Sequence, residues 1–458
     1  MRRSVGRAGL IATSVIAAVQ LQQACKFDHG ALVTGMPDGG PDALPDASEC
    51  TAAMDMCLGD TLRHCDGPGA MAVDRPCGWG CMTNRCLEVV PAGSGGNASD
   101  GVMPSDVVAV DMTTAVELVE GLIVDGDNGR IGTTMNPTSL RGSGSGVIAG
   151  IDWQMRGPVS MFRFKSLKIT TSSAGSVALI GSHPIAFVAD EGVEVDGIVD
   201  ARGTCAGSAA GPGGFRGGAI DTSATGSGAG KAVNASSVGG GGGGHGDDGG
   251  DGGNSGGQGG QSFGGPAIAL LLGGGGGGGG HGGGGGTGPG GGGGGALQIV
   301  SNGLVSILSG GINAGGCGGR TGTGGSDGGG GGGAGGTILI EAPKVNLEGG
   351  VLAVNGGGGG GGAGTTATTG TSGQLSEAAA PGATNGADGG AGGAADKLDG
   401  TSGETSGGDG GGGGGGVGRI RINTRDNMGI LPAIIGTITS PRLSDATTTT
   451  TRGSAATR

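Results

Sequence analysis

Residues 337–357 read TILIEAPKVNLEGGVLAVNGG, and this pattern decides the fold class. Ile338-Leu339-Ile340, Val345-Asn346-Leu347 and Val351-Leu352-Ala353-Val354 are three short apolar segments separated by a turn and a glycine corner. Side chains along a strand alternate between two faces, so each segment turns every second residue inward. Three other stretches follow the same plan: IAFVADEGVEVDGIVDARG from Ile185, ALQIVSNGLVSILSGGINAGG from Ala296 and RIRINTRDNMGILPAIIGT from Arg419. None carries apolar residues at the three-and-four spacing of a helix. Short strands separated by corners and repeated in units of about twenty residues are the signature of a parallel β-helix. The expected fold is therefore all-β, a right-handed parallel β-helix over residues 107–441. SMFRFKSLKITTSS from Ser160 and SVALIGS from Ser176 read as looser turns of the same coil, and residues 107–124 as its N-terminal cap.

Between these units lie glycine-rich excursions at residues 203–295, 315–336 and 356–416. Glycine supplies 126 of the 458 residues, aromatic residues make up 2%, and tyrosine is absent. Much of the chain is thus too poor in large side chains for an ordinary core. Insertions of this length leave a solenoid at its corners without disturbing neighbouring turns. The glycine blocks are open to two states. They can be mobile corner loops, or they can pack as extended glycine helices with three residues per turn. Order would require dense hydrogen bonding, because glycine loses the most backbone entropy on being fixed.

The N-terminus reads as an export signal over residues 1–24. Arg2, Arg3 and Arg7 precede an apolar stretch from Ala8 to Val19, too short for the roughly 20 residues that span a bilayer. Leu21-Gln22-Gln23-Ala24-Cys25 resembles a bacterial lipoprotein box, which implies lipid on Cys25. Parity supports this: nine cysteines leave one unpaired in an oxidising compartment, and lipidation of Cys25 lets the other eight pair. Residues 25–48 alternate proline, aspartate and glycine as a solvated tether.

Residues 49–90 form a cysteine module with Cys50, Cys57, Cys65, Cys77, Cys81 and Cys86. So short a segment needs staples, and three disulfides supply them, with fifteen connectivities open. Residues 91–106 are a second linker. Cys205 and Cys317 occupy nearly the same place in successive repeats, each just beyond a third strand. Adjacent strands lie about 4.8 Å apart, within reach of a disulfide, so these two are expected to pair.

Leu58-Gly59-Asp60 with Leu62 before Cys65, and the turn Pro76-Cys77-Gly78-Trp79-Gly80-Cys81, make the module similar to those near the N-termini of myxobacterial surface lipoproteins. As a whole the chain resembles the glycine-rich surface proteins of that group. Its composition is similar to that of the mycobacterial PE-PGRS proteins, without their N-terminal helical domain. The resemblance implies a location at the outer membrane or cell surface, with secretion as the alternative, and carries no catalytic residues.

Parallel β-helices include polysaccharide lyases and hydrolases, whose chemistry needs gathered carboxylates. The densest group is Asp190, Glu191, Glu194, Asp196 and Asp200; Glu194 and Asp196 share the outer face because Val193 and Val195 point in. The matching positions of other repeats hold Ser306, Asn346 and Asn313, so no acidic ladder and no basic partner is expected across them. Asp247, Asp248 and Asp251 offer oxygen ligands for calcium, but lack the apolar residue that packs a calcium-binding repeat, and read as solvated loop. His245 and His281 lie in glycine tracts where they could meet over a metal. GxGxxG matches are trivial in so much glycine. No cofactor and no metal are expected.

The net charge of −13, from 38 acidic against 25 basic residues, excludes a nucleic-acid binder. The expected role is a lipid-anchored structural or adhesive surface protein, not an enzyme, contacting cells, matrix or a surface polysaccharide. The alternatives are a polysaccharide-cleaving enzyme on the same fold and a passive envelope spacer. The tail, residues 442–458, reads as disordered.

Overall fold

The computed structural model describes residues 50, 53–90, 115–133, 139–282, 288–322, 324–362, 367–426, 438–443 and 449–457. The export signal, Cys25 and the whole of both linkers fall outside the described residues. Among those described the chain is all-β, with no helix.

The alternating segments fold into two large sheets built mainly of parallel strands. The first has eight strands. It opens with the antiparallel pair Gly146–Ile148 and Ile151–Arg156, then runs through Val159–Phe164, Ile185–Ala189, Ala296–Ser301, Thr337–Glu341, Arg419–Thr424 and Thr450–Ser454. From Val159–Phe164 onward every pairing is parallel and in register. The register stacks Phe162, Phe187, Ile299, Ile340 and Ile422 in one inward column. Each of them is at most 1% exposed.

The second sheet takes the next strand of each repeat after a turn of two or three residues: Leu167–Thr170, Val193–Asp200, Leu304–Asn313, and Lys344–Asn346 with Val351–Ala353. Its inward residues Ile169, Val195, Ile307, Ile312 and Leu352 meet the column of the first sheet in a single core. Among the described residues the repeat at 337 keeps three separate strands, as does the looser one of Val159–Phe164, Leu167–Thr170 and Val177–Ile180. In the repeats at Ile185 and Ala296 the second and third segments run together, because the register shifts between Val195 and Asp196 and leaves a bulge instead of a corner. The extra residue is Leu308, and just after it on the same strand Gly310 and Gly311 both adopt positive φ, a conformation that a side chain would strain. At the N-terminal end the sheet is finished by Val116–Val119 and Ile123–Asp125, the described part of the expected cap.

The described residues of the glycine excursions are ordered. They run as extended segments that bond to one another mainly through backbone. Residues 238–246 show the rule. Gly240 and Gly243 donate to Gly329 and Gly332, Gly241 and Gly244 to Lys231 and Gly228, and Gly239 and Gly242 to Gly253 and Gly250. Every third residue addresses the same neighbour, so the segment turns once per three residues, as polyproline II does. Its carbonyls accept from Gly257, Gly260, Gly275, Gly278, Gly413 and Gly416 at 2.8–3.2 Å, so six segments surround it. At most interior positions such a lattice requires glycine, since an added Cβ on Gly243 or Gly331 would collide with the carbonyl oxygen of Gly275 or Gly241. The lattice also continues the sheets: Gly295, Gly336 and Gly418 donate to Ala201, Ala314 and Val354, which directly follow strands of the second sheet.

The cysteine module packs on the outer face of the first sheet. Trp79, only 1% exposed, clusters with Met161, Val188, Val300 and Leu339, and its indole N–H donates to the Ser301 carbonyl at 3.2 Å. Ile268 and Leu271, from the apolar run inside the longest glycine excursion, cover the same face. The tail departs from expectation. Thr450–Ser454 pairs with Arg419–Thr424, and Ala456–Thr457 pairs with Val89–Val90 of the module. Its threonines are β-branched and suit a strand, but no apolar alternation marks one there, and the open edge of the preceding strand supplies the pairing partner.

Candidate functional site

The outer face of the second sheet carries the carboxylates that the sequence singles out. Val193 and Val195 are buried, which turns Glu194 and Asp196 to solvent. Parallel register then aligns Glu117, Lys168, Glu194, Ser306 and Asn346 in one row across the strands. Lys168 Nζ lies 2.8 Å from Glu194 Oε1, and that hydrogen bond raises the lysine pKa above its ordinary value. In the adjoining row Ser309 Oγ donates to Asp196 Oδ1 at 2.6 Å, and Thr170 Oγ1 donates to Glu117 at 2.9 Å.

The other three carboxylates lie at corners and are also engaged. Asp190 accepts from Asn302 Nδ2 at 3.2 Å and faces Arg75 at 3.7 Å, Glu191 faces Lys165 at 3.5 Å, and Asp200 is held by Arg202 at 2.7 Å. Ser306 and Asn346 do occupy the matching positions of the later repeats, so neither acid nor base continues along the row there, and the basic partners come from other places. Lys165 and Lys168 come from the looser repeat one strand earlier, Arg202 from the next corner and Arg75 from the cysteine module. Lys168 was legible as an outward residue of an alternating strand; Arg75 carried no signal, because nothing local tells that the module reaches the sheet.

A cleft of about 690 Å³ follows the seam between module and sheets, with Arg75, Trp79, Glu88, Asp190, Glu191 and Asn302 among its lining. The seam is fixed on both sides. Arg425 forks onto both oxygens of Asp60 at 2.6 and 2.7 Å, and Gly78 approaches the Asn302 carbonyl so closely that no Cβ would fit. Three disulfides hold the module itself: Cys50–Cys65, Cys57–Cys81 and Cys77–Cys86. A fourth joins Cys205 to Cys317 with Cα atoms 5.3 Å apart, at the root of the longest glycine excursion.

The acidic segment at 247–251 is built into the lattice. Asp248 accepts the N–H of Ser262 at 2.6 Å and Asp251 that of Gly259 at 2.8 Å. Partial burial, together with a hydrogen bond from the neighbouring Asp399, raises the Asp247 pKa. Among the described residues no three His, Cys, Asp or Glu side chains converge as metal ligands.

His245 and His281 do not meet. The segments bearing them run antiparallel, pairing His281 with Val238, seven residues before His245. At about 3.1 Å per residue, that puts them roughly 20 Å apart. His245 is 3% exposed, stacks on Phe263 with centroids 4.6 Å apart, and donates from Nδ1 to the Gly335 carbonyl at 2.8 Å. Burial pushes its pKa down to about 4, with the nearby Arg419 guanidinium lowering it further against the hydrogen bond to Gly335.

Comparison of the chain with protein-family models, with characterised proteins and with solved structures finds no match.

Proposed function

We propose that this is an exported, lipid-anchored surface protein with a structural or adhesive role. One observation carries the reading: a large part of the chain is committed to a lattice bonded backbone to backbone, with polar side chains at its surface. Such a body is stiff without a large apolar core, which suits display of a contact surface. Four disulfides fit an oxidising compartment. The export signal, the lipoprotein-like box at Cys25 and the similarity of the cysteine module to myxobacterial surface lipoproteins support the same location. On this reading the carboxylates of the second sheet tie neighbouring repeats together.

The fold behind it is, in this reading, a right-handed parallel β-helix. The two sheets are two of its sides, and the glycine lattice fills the third, where the chain leaves the second sheet and returns to the first. The right-handed rule for crossovers between parallel strands supports that hand.

The test is fractionation of cells expressing the full chain beside Cys25→Ala. The expected result is membrane association and protease accessibility on intact cells, both lost on mutation with release of soluble protein. Recovery of the unaltered chain in the cytosol with reduced cysteines would end this reading. For adhesion, the purified mature protein is expected to retain whole cells or extracellular polysaccharide on a surface; retention no better than an unrelated protein would leave only the spacer role.

A further inference from the structure

A second groove, also about 690 Å³, lies on the flank of the glycine lattice. It is formed where the run 258–263 lies between the runs 226–231 and 248–251. Lys231 donates its backbone N–H to Gln258, and Gly249 donates to Gly260, so all three runs are held by backbone bonds. Three residues complete a turn, so Asp248 and Asp251 share one side of their run, as do Gln258 and Gln261, with about 9 Å between members of each pair. All four side chains and Lys231 are exposed.

What separates this groove from the face of the second sheet is the state of its polar groups. On the sheet, Lys168 and Glu194 satisfy one another, as do Ser309 and Asp196. In the groove each aspartate spends only Oδ1, on a backbone N–H that fixes the carboxylate in place. The second oxygen of each, both carboxamides and the Lys231 ammonium make no hydrogen bond or ion pair within the described protein. Unspent donors and acceptors lining a concavity, two of them on carboxylates held by a backbone N–H, are what a polar ligand site requires.

The chemistry narrows the ligand. Two carboxylates against one ammonium disfavour polyanions, both nucleic acid and acidic polysaccharide. The nearest ring, Phe263, is occupied by His245 on one side and meets Phe215 edge-on at 6.0 Å, so no aromatic platform is offered for stacking. A ligand with many hydroxyls, each able to donate to a carboxylate and accept from an amide or ammonium, matches the groups present. A repeat along the groove also matches a polymer better than a single small molecule. We propose that this groove binds an extended, uncharged polysaccharide edge-on through its hydroxyl groups. The proposal rests on the adhesive reading and names its ligand class.

The test is affinity electrophoresis and calorimetry of the full mature protein with soluble β-1,3-glucan, β-1,4-glucan oligosaccharides and dextran, with polygalacturonate as the acidic comparator. Lys231→Ala/Gln258→Ala/Gln261→Ala removes side chains without protein partners, so its fold should survive, as circular dichroism would verify. Lys168→Ala/Glu194→Ala on the second sheet is the control. The expected result is binding of at least one neutral glucan over polygalacturonate, weakened tenfold or more by the groove variant and unchanged by the control. Equal binding by groove variant and parent, or loss only in the sheet control, overturns the groove and leaves the adhesive reading standing. Preference for polygalacturonate also overturns it. Absence of binding to every neutral glucan overturns it too; if whole cells are also not retained, the adhesive reading fails with it.

Discussion

Gly331 and Gly265 are the same residue type under opposite constraints. A Cβ on Gly331 would strike the carbonyl of Gly241, whereas one on Gly265 meets nothing within 4 Å. Gly331→Ala is expected to destabilise the protein by about 3 kcal/mol, because the obstructing atom is backbone and cannot step aside. Gly265→Ala should stay within about 0.5 kcal/mol of the parent. Chemical denaturation of both variants measures the contrast, and equal midpoints would contradict the lattice. His245 gives a pH dependence of definite sign. The unfolded chain takes up a proton near pH 6.5, but the folded one only near 4, because the ring is buried neutral beside Arg419. Stability is therefore full above about pH 6.5 and falls as pH drops towards 4, by about 3 kcal/mol from this group. Asp247, whose pKa is raised, acts in the opposite sense in the acid range, so the informative quantity is the difference between parent and His245→Phe. Denaturant titrations at pH 7.5 and 4.5 should show a smaller acid loss in the variant; an identical loss would remove His245 as its source.

Trp79 is the side chain through which the cysteine module holds the first sheet. Replacing it by alanine removes a fully buried indole and its hydrogen bond to Ser301, at an expected cost of about 3–5 kcal/mol. The module keeps its three disulfides, so the expected outcome is undocking and not unfolding. Hydrogen exchange should then rise on Ala296–Ser301, with the disulfide-bonded segments still protected; unchanged exchange on that strand would mean the indole does not hold the module down. The Cys205–Cys317 bridge links residues 112 apart in sequence, for which chain entropy allows up to about 5 kcal/mol. Cys205→Ser/Cys317→Ser is expected to lower the melting temperature, because the bridge restricts the unfolded chain, where no lattice holds the two ends; an unchanged melting temperature would mean the bridge adds no stability.

The described residues are closed by their C-terminal strands. These strands pair with Arg419–Thr424 and with Val89–Val90, so residues 449–457 join the end of the first sheet to the N-terminal module. Deleting residues 442–458 would bare the edge of Arg419–Thr424 and free one side of the module. Exposed edges recruit other strands, so the truncated protein is expected to self-associate where the parent is monodisperse by light scattering. A truncated protein that stays monodisperse with an unchanged melting temperature would assign the tail no closing role.

The strands were legible because alternation is a local property: Val193 and Val195 inward with Glu194 and Asp196 outward follows from period two alone. So was the neighbourhood of Cys205 and Cys317, since equivalent places in consecutive repeats come to lie side by side. The glycine tracts were not decidable in the same way. A glycine run has no side-chain pattern to read, and whether it is loop or lattice depends on how many similar runs lie beside it to take up its hydrogen bonds. The bulge that merges two strands, the partners of the outer carboxylates and the ordered tail share that cause. Each is fixed by what a distant segment offers, Lys168 to Glu194, Arg75 to Asp190 and the edge of Arg419–Thr424 to Thr450–Ser454. Sequence by itself determined the strands, their inward faces and the places of the cysteines, because those follow from neighbouring residues. Only the tertiary structure decided the order of the glycine and the groove on its flank, because backbone hydrogen bonds between remote runs carry no mark in the residues that make them.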